Sequence, residues 1–240
     1  MPDGDFDIPS LAQYLHLAAD VVLRMAERGK LPGRKMQGQW KFSSAEIHHW
    51  LEERIGASED DAELAQVEGV LDRGRASEQT ADESISITGL LPIAAIAKPL
   101  AARTRGAVIK DMVDLAAQTG WLWDPEKLAE AVRARESLHP TALDNGVALL
   151  HPRRPMANIL AEPFLALGIT SSGVPFGDAK GQLTDIFFLI CATSDREHLR
   201  MLARLSRLIG DESFLSELRA ADDARAVHEL IEQREQDLSP

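Results

Sequence analysis

The 240-residue sequence is poor in cysteine, in aromatic residues and in long apolar runs. Its single cysteine, Cys191, excludes an internal disulfide and fits a reducing compartment. Because Cys191 lies in the apolar run TDIFFLICA, we expect it to be a small core residue. No window reaches the roughly 18 apolar residues that a membrane-spanning helix needs. The first residues carry Asp3, Asp5 and Asp7 instead of an export signal. We therefore expect a cytoplasmic protein with no membrane segment.

Positive charge is also scarce, since 26 lysines and arginines stand against 38 aspartates and glutamates, a net charge of -12. A body this acidic repels phosphate, so any contact with nucleic acid needs a local basic patch. The acids concentrate in residues 56–84, where nine of them face only two arginines, a composition typical of a solvated linker. The sequence thus predicts two domains, residues 1–55 and 86–240, joined by an acidic linker over residues 56–85.

The pattern of the first domain predicts two short helices, a β-hairpin and a third helix. Ser10 is a candidate N-cap for the first helix, and Gly29 supplies a C-terminal stop for the second. A tight turn at Gly38 joins the runs GRKM and WKF as a two-stranded wing. Ser43 and Glu46 have capping-box spacing before the third helix, IHHWLEERI. This order of elements is the plan of a winged DNA-binding domain.

Basic residues gather around the end of the second helix and in the wing, where a winged domain meets DNA phosphates. The order of GKLP, a wing ending in QWKF and a final WL resembles the excisionase-like, MerR-type winged helix-turn-helix family over residues 6–55. The resemblance implies DNA binding, in which we expect a homodimer. The candidate contacts are Arg24, Arg28, Lys30, Arg34, Lys35 and Lys41. Because the second helix opens with the largely apolar AADVV, a module that no longer contacts DNA is the alternative.

The second domain alternates strand and helix patterns. The apolar runs AAIAKPL, GVALL, PFLALGI and TDIFFLICA predict strands. Asp124 followed by Pro125 is typical of a helix start. Helices are predicted near residues 104–119, 125–136, 195–209, 212–220 and 222–234. This alternation indicates an α/β domain with a largely buried sheet.

One segment, TALDNGVALLHPRR, ends an apolar strand directly on a histidine. The segment and the residues before it resemble the active-site region of phosphotransferase-system enzyme IIA domains of the fructose, mannitol and nitrogen-regulatory class. The positions that carry the resemblance are Arg135, Glu136, Thr141, Asn145, Gly146, the strand over residues 147–150 and His151. Further along, SDREHLRML places His198 where that family has a second histidine. The resemblance covers about residues 86–236 and implies the type-2 enzyme IIA α/β sandwich, a mixed sheet flanked by helices.

The resemblance also implies a site and a partner. An enzyme IIA domain accepts a phosphoryl group from a phosphorylated HPr-type carrier protein onto a histidine, here His151. An imidazole suits this role because it is neutral near pH 7 and still nucleophilic. His198, expected in the first turn of its helix, is a candidate donor to a phosphoryl oxygen, and Arg135 is a candidate charged donor. Ordinary structural roles for these two residues at helix ends remain the alternative.

Two neighbours of His151 depart from the family pattern. The family commonly has proline before this histidine and a small residue after it, whereas this sequence has Leu150 and Pro152. Pro152 lacks a backbone N–H that would otherwise be available to a phosphoryl oxygen. A domain that docks its partner without carrying phosphate is therefore the alternative. Arg153 and Arg154 either attract a phosphorylated partner or lie solvated in a loop.

The remaining polar features predict no further site. The stretch GITSSG, residues 168–173, lacks the spacing of a serine nucleophile elbow and predicts a turn. His48 and His49 are expected on the surface of the third helix, and we expect no metal site and no cofactor. The sequence as a whole predicts a cytoplasmic regulator in which phosphorylation of His151 is coupled to DNA binding.

Overall fold

The computed structural model describes residues 6–15, 19–36, 38–43, 46–47, 50, 85–177 and 181–238. The chain divides into two units, residues 1–84 and 85–240, and each has its own buried core. Of the predicted acidic linker only Ile85 is described. Most of the predicted third helix also lies outside the described residues, although Glu46, Ile47 and Trp50 are helical.

The N-terminal unit contains two helices and a two-stranded wing. Helix α1 spans Ile8–Tyr14 and helix α2 spans Ala19–Glu27. Strands β1, Arg34–Met36, and β2, Gln39–Lys41, pair antiparallel on either side of Gly38. The core of this unit is formed by fully buried apolar side chains: Leu11, Val22, Phe42 and Ile47. The predicted succession of helix, helix and wing is confirmed.

Local hydrogen bonds set the ends of these two helices. The prediction that Ser10 caps α1 is wrong, because α1 starts at Ile8 and Asp7 is the capping residue. The Asp7 carboxylate accepts from the Ser10 N–H at 2.9 Å, and the Ser10 hydroxyl accepts from the Asp7 N–H at 2.9 Å. Gly29 ends α2 as predicted, since its φ of 66° is left-handed and the next N–H, from Lys30, donates to the Met25 carbonyl at 2.9 Å.

A four-stranded mixed sheet with the order β3-β5-β6-β4 forms the centre of the C-terminal unit. The strands are β3, Ile96–Leu100; β4, Val147–Leu150; β5, Phe164–Pro175; and β6, Leu183–Cys191. β3 is parallel to β5, β5 is antiparallel to β6, and β4 is parallel to β6. Every residue of β4 is buried, which explains why its sequence is apolar without alternation.

Helices cover both faces of this sheet. In the described part of the unit they are α3, Ile87–Leu90; α4, Arg105–Ala117; α5, Pro125–Leu138; α6, Asp195–Ile209; α7, Glu212–Ala220; and α8, Ala224–Leu238. Met112 of α4 and Val132 of α5 share one apolar cluster with Leu150 and Phe187 of the sheet. Buried residues that alternate with these, such as Leu149, belong to the opposite face, where α6 contacts β6 and α8 contacts β3. The predicted α/β sandwich is confirmed.

The predicted turn over residues 168–173 is wrong, because this stretch lies inside β5. Pairing with β6 continues past it, from the Ile169–Ile186 pair to the Val174–Thr184 pair, with a register irregularity between them. Glycine and serine in this segment therefore mark a bulged strand rather than a chain reversal. Cys191 is buried as predicted, and burial raises the pKa of its thiol well above the ordinary value.

The carboxylate of Glu235 in α8 binds the first residues of the C-terminal unit. It accepts from the N–H groups of Ile87 and Thr88 at 2.6 and 2.8 Å and from the hydroxyls of Ser86 and Thr88 at 3.0 and 2.7 Å. Arg204 of α6 forms a buried ion pair with the same carboxylate at 3.5 Å. Burial acts to raise the pKa of Glu235, but the hydrogen bonds from Thr88, Ile87 and Ser86 outweigh it and hold the pKa below its ordinary value.

Removal of the Glu235 carboxylate should destabilise the C-terminal unit. We expect Glu235→Ala to lower the free energy of unfolding at pH 7 by about 3 kcal/mol, because buried donors and Arg204 lose a charged partner. Urea unfolding measures the change. Glu232→Ala, at an exposed position of the same helix, is the matched control and should cost less than about 0.5 kcal/mol.

The pH dependence of the unfolding free energy provides a second test of the role of Glu235. Because the pKa of Glu235 is depressed in the folded state, its stabilisation is present above the ordinary glutamate pKa of 4.5 and is lost as the pH falls through the lower folded value. The difference between the wild type and Glu235→Ala should shrink over that range. Equal unfolding midpoints for the two variants at pH 7 would show that this carboxylate contributes no net stability.

Candidate functional site

The strand that leads to His151 begins at a turn with specific chemistry. Gly146 has a φ of 83°, and a Cβ placed there would meet the Arg219 guanidinium at 2.8 Å, so the position requires glycine. The Asn145 side chain accepts from the Val147 N–H at 3.3 Å and donates to the Ile209 carbonyl at 3.1 Å. The turn at Asn145 and Gly146 therefore fixes where β4 starts and, five residues after the glycine, where its histidine lies.

His151 follows β4 directly and is held by a backbone carbonyl. Its Nδ1 lies 2.8 Å from the Leu149 carbonyl oxygen, which can only accept a hydrogen bond. Nδ1 must therefore carry the proton when the ring is neutral, which leaves the lone pair on Nε2. The nitrogen available as a nucleophile is thus Nε2.

His198 lies against His151. The two ring centroids are 4.8 Å apart, with planes inclined by 54°. Ser194 caps α6 by accepting from the Glu197 N–H at 3.3 Å, and its carbonyl accepts from the His198 N–H at 3.0 Å. This cap places His198 in the first turn of α6, where the helix dipole favours an anion over an imidazolium. A strand end and a helix start thus bring two imidazoles together.

The structure places Arg135 in the last turn of α5. Its guanidinium donates to the His139 carbonyl at 2.7 Å, and the residue is buried. This contact satisfies a terminal helix carbonyl, as cations near helix C-termini commonly do. This hydrogen bond supports the structural role of Arg135 at the end of α5, whereas a role of Arg135 toward His151 stays a prediction.

The sequence predicts that β4 carries His151 to the surface of the sheet, whereas the structure places it in a buried environment. The residue is only 2% exposed, and both of its atypical neighbours, Leu150 and Pro152, are buried. The expectation of a solvent-reachable ring was wrong, because a sequence pattern shows where a strand ends but not what covers that end. Arg153 and Arg154 are exposed beside it. The accessible part of this region is therefore basic.

A buried carboxylate lies behind the site, and sequence reasoning assigned it no role. Glu136, 1% exposed, accepts from the Thr141 hydroxyl and from the Thr141 N–H at 3.2 and 3.3 Å. Arg105, at the start of α4, donates to the Glu136 backbone carbonyl and lies 3.3 Å from its carboxylate. Burial raises the pKa of Glu136, although hydrogen bonds from Thr141 and the charges of Arg105 and Arg135 oppose that shift. No local sequence signal indicates Arg105, because it lies 31 residues before its partner.

The candidate DNA contacts lie on the surface of the N-terminal unit. Five of the six are exposed and Lys41 is half-buried; the exposed ones are Arg24, Arg28, Lys30, Arg34 and Lys35. Two of them have acidic neighbours, since Arg24 pairs with Asp20 at 3.1 Å and Arg34 pairs with Glu46 at 3.0 Å. Exposed ion pairs of this kind contribute little, so a phosphate group can replace the carboxylate.

In the described parts of both units, no group of three or more His, Cys, Asp or Glu residues is placed to hold a metal ion. None of the described helices has both the length and the apolar content to cross a bilayer. His48 and His49 lie outside the described residues.

The mixed sheet between helices and the paired histidines define an enzyme IIA class of domain. The family model for the phosphoenolpyruvate-dependent sugar phosphotransferase system, EIIA 2, matches residues 90–234, and a helix-turn-helix domain model matches residues 6–55. The first match spans more than half of the chain. This chain therefore belongs to the EIIA 2 family of the phosphotransferase system and carries a helix-turn-helix domain before it.

Named relatives are similar to the C-terminal unit. The fructose-specific EIIABC component of Bacillus subtilis is 30% identical over 153 residues, 63% of this chain and 24% of that protein. A nitrogen regulatory protein of Bradyrhizobium diazoefficiens is 30% identical over 148 residues, 60% of this chain and 94% of that protein. The crystal structure of nitrogen regulatory protein IIA-Ntr from Neisseria meningitidis shares the fold, with a TM-score of 0.55, 22% identity and coverage of 60% of this chain and 98% of that one. The chain thus spans about a quarter of the Bacillus protein and nearly all of the nitrogen regulatory ones.

Proposed function

We propose that this protein is a cytoplasmic phosphotransferase-system regulator in which His151 accepts a phosphoryl group from a phosphorylated HPr-type carrier and the helix-turn-helix domain binds DNA in response. The observation that supports it best is the apposition of His151 and His198, two imidazoles 4.8 Å apart, in a chain of the EIIA 2 family. The family membership supplies the chemistry, and the geometry supplies a defined nucleophile.

The proposed step is a transfer between two histidines. The Nε2 lone pair of His151 attacks the phosphorus of the carrier's phosphohistidine, a new N–P bond forms, and the old N–P bond breaks with its electron pair returning to the carrier imidazole. Such a transfer needs in-line positioning and donors for the phosphoryl oxygens. His198 and Arg135 are the proposed donors, and the exposed Arg153 and Arg154 attract the negatively charged carrier. The ring of His151 must become accessible when the carrier docks.

The proposed domain plan separates the two tasks. Residues 1–55 bind DNA, residues 86–240 receive phosphate, and the acidic residues 56–85 link them. Exposed arginines and lysines of the first domain provide the local basic patch that a chain of net charge -12 needs to approach DNA. A carrier that adds a dianionic phosphoryl group to the second domain changes the charge of the whole regulator.

Phosphorylation of His151 is directly measurable. Incubated with phosphoenolpyruvate, enzyme I and HPr, the wild-type chain should gain the mass of one phosphoryl group, and His151→Ala should gain none. His198→Ala should still be phosphorylated but at a rate lower by about tenfold or more, since a donor to the transferring group is lost. His228→Ala, a half-buried histidine of α8, is the matched control and should behave as wild type.

Two outcomes of this assay reject the proposal. One is the absence of a mass gain in the wild type with any HPr-type donor supplied. The other is a gain that persists in His151→Ala, since the phosphoryl group then resides elsewhere.

A second function, docking without phosphate, is favoured by the 2% exposure of His151 and by the atypical Leu150 and Pro152. Under this function the domain binds its partner through surface complementarity alone. His151→Ala would then leave both partner binding and DNA binding unchanged. A loss of either activity in that variant argues for the phosphocarrier instead.

DNA binding by the first domain makes its own prediction. Lys30→Ala and Lys35→Ala should each weaken binding to a DNA duplex and lower the slope of log affinity against log salt by about one, since each removes one phosphate contact. Fluorescence anisotropy across a salt series measures this slope, and sedimentation of the complex shows whether two copies bind together. Lys127→Ala, an exposed lysine of the second domain, is the charge-matched control. If Lys30→Ala and Lys35→Ala give the same slope as Lys127→Ala, the proposed DNA-binding surface is rejected.

A further inference from the structure

A continuous series of hydrogen bonds connects a buried carboxylate to the imidazole of His151. The Thr141 N–H and hydroxyl donate to Glu136. The Thr141 carbonyl then accepts from the Leu149 N–H at 3.3 Å, and the Leu149 carbonyl faces His151 Nδ1 at 2.8 Å. Successive hydrogen bonds in this series share a residue, first Thr141 and then Leu149.

Leu149 is the critical residue of this series, because both of its backbone polar groups take part. In a β-strand the N–H and the C=O of one residue point to the same side, so a contact that holds the Leu149 N–H also restrains the direction of its carbonyl. Leu149 lies in the edge strand β4, which pairs with β6 on one side. On the other side the segment after Thr141 pairs with β4 through the Ala142–Ala148 bridge. Thr141 therefore replaces the missing neighbour strand beside the residue that orients His151.

Glu136 holds Thr141 in that place. Its carboxylate accepts from both donors of Thr141, and Arg105 binds both the backbone carbonyl and the carboxylate of Glu136. The Arg105 guanidinium in turn lies 5.6 Å from the ring centre of Phe176. Because the carboxylate is buried, it has no water to replace Thr141, and the turn that follows α5 is restricted to one arrangement.

We propose that Glu136 and Thr141 are positioning residues for His151, which keep the ring in the tautomer with the proton on Nδ1 and the lone pair on Nε2. The consequence for phosphoryl transfer rests on the proposed function, whereas the consequence for the tautomer does not. Neither residue touches the reacting atoms, so their effect passes through the backbone of Leu149. Loss of the Thr141 hydroxyl loosens the hold on this backbone and lets both tautomers populate.

The full-length chain, labelled with ¹⁵N in its histidines, tests the proposal. In wild type the NMR shifts of the two His151 nitrogens should report a single tautomer with protonated Nδ1. Thr141→Val removes the hydroxyl at nearly constant volume and should give a mixture of tautomers. Thr141→Ser keeps the hydroxyl and should restore the wild-type spectrum, which a role in packing alone would not predict.

Phosphoryl transfer provides the second readout. Thr141→Val and Glu136→Gln should lower kcat by about tenfold while KM for the phosphorylated carrier stays within about twofold, because orientation rather than docking is disturbed. Glu130→Gln, at an exposed position of the same helix, is the matched control. Circular dichroism and thermal unfolding verify that each variant is folded. If Thr141→Val does not fold, the comparison of Glu136→Gln with Glu130→Gln decides.

The two readouts separate the possible failures. If the wild type takes no phosphate but its tautomer changes in Thr141→Val, the proposed function is rejected and the positioning role stands. If folded Thr141→Val and Glu136→Gln keep a single Nδ1-protonated tautomer, the positioning role is rejected, whatever the wild type does with phosphate. An unchanged kcat in a chain that is phosphorylated also rejects it.

Discussion

The backbone of Leu149 is the constraint from which the geometry of the site follows. Its N–H donates to the Thr141 carbonyl and its carbonyl faces Nδ1 of His151, so one strand residue connects the turn after α5 with the imidazole. The sheet places Leu149 near the end of a fully buried edge strand. The cap at Ser194 places His198 in the first turn of α6, beside His151. In the neutral form of the ring, the contact with the Leu149 carbonyl leaves the lone pair on Nε2 before any partner arrives.

Features governed by local chemistry were predictable from the sequence. Gly146 needs a positive φ, Asp124 and Pro125 start α5, and Ser194 caps α6, and each of these depends on residues a few positions apart. The apolar run before His151 likewise identified β4. Together with the family resemblance, these signals located both histidines and the class of fold.

Features governed by tertiary contacts were not predictable in this way. Arg105 finds Glu136 across two helices, and no spacing rule connects them. The burial of His151 depends on elements distant in sequence. The stretch GITSSG has the composition of a turn, yet its pairing with β6 keeps it in a strand, because ladder hydrogen bonds outweigh weak local preference. Ser10 lost the capping position to Asp7, whose carboxylate accepts from the Ser10 N–H, because the helix begins three residues earlier than its apolar pattern indicated.

The contact between Glu235 and residues 86–88 has a consequence for how such a chain can be assembled. It brings the first turn of the second unit beside its last helix, so both ends of that unit leave from one edge. When the two ends of a domain lie close together, another domain can be fused to either end without the connecting chain crossing the functional site. In evolutionary terms, the carboxylate helps to make the enzyme IIA unit easy to join to other domains, and the helix-turn-helix domain is one such addition.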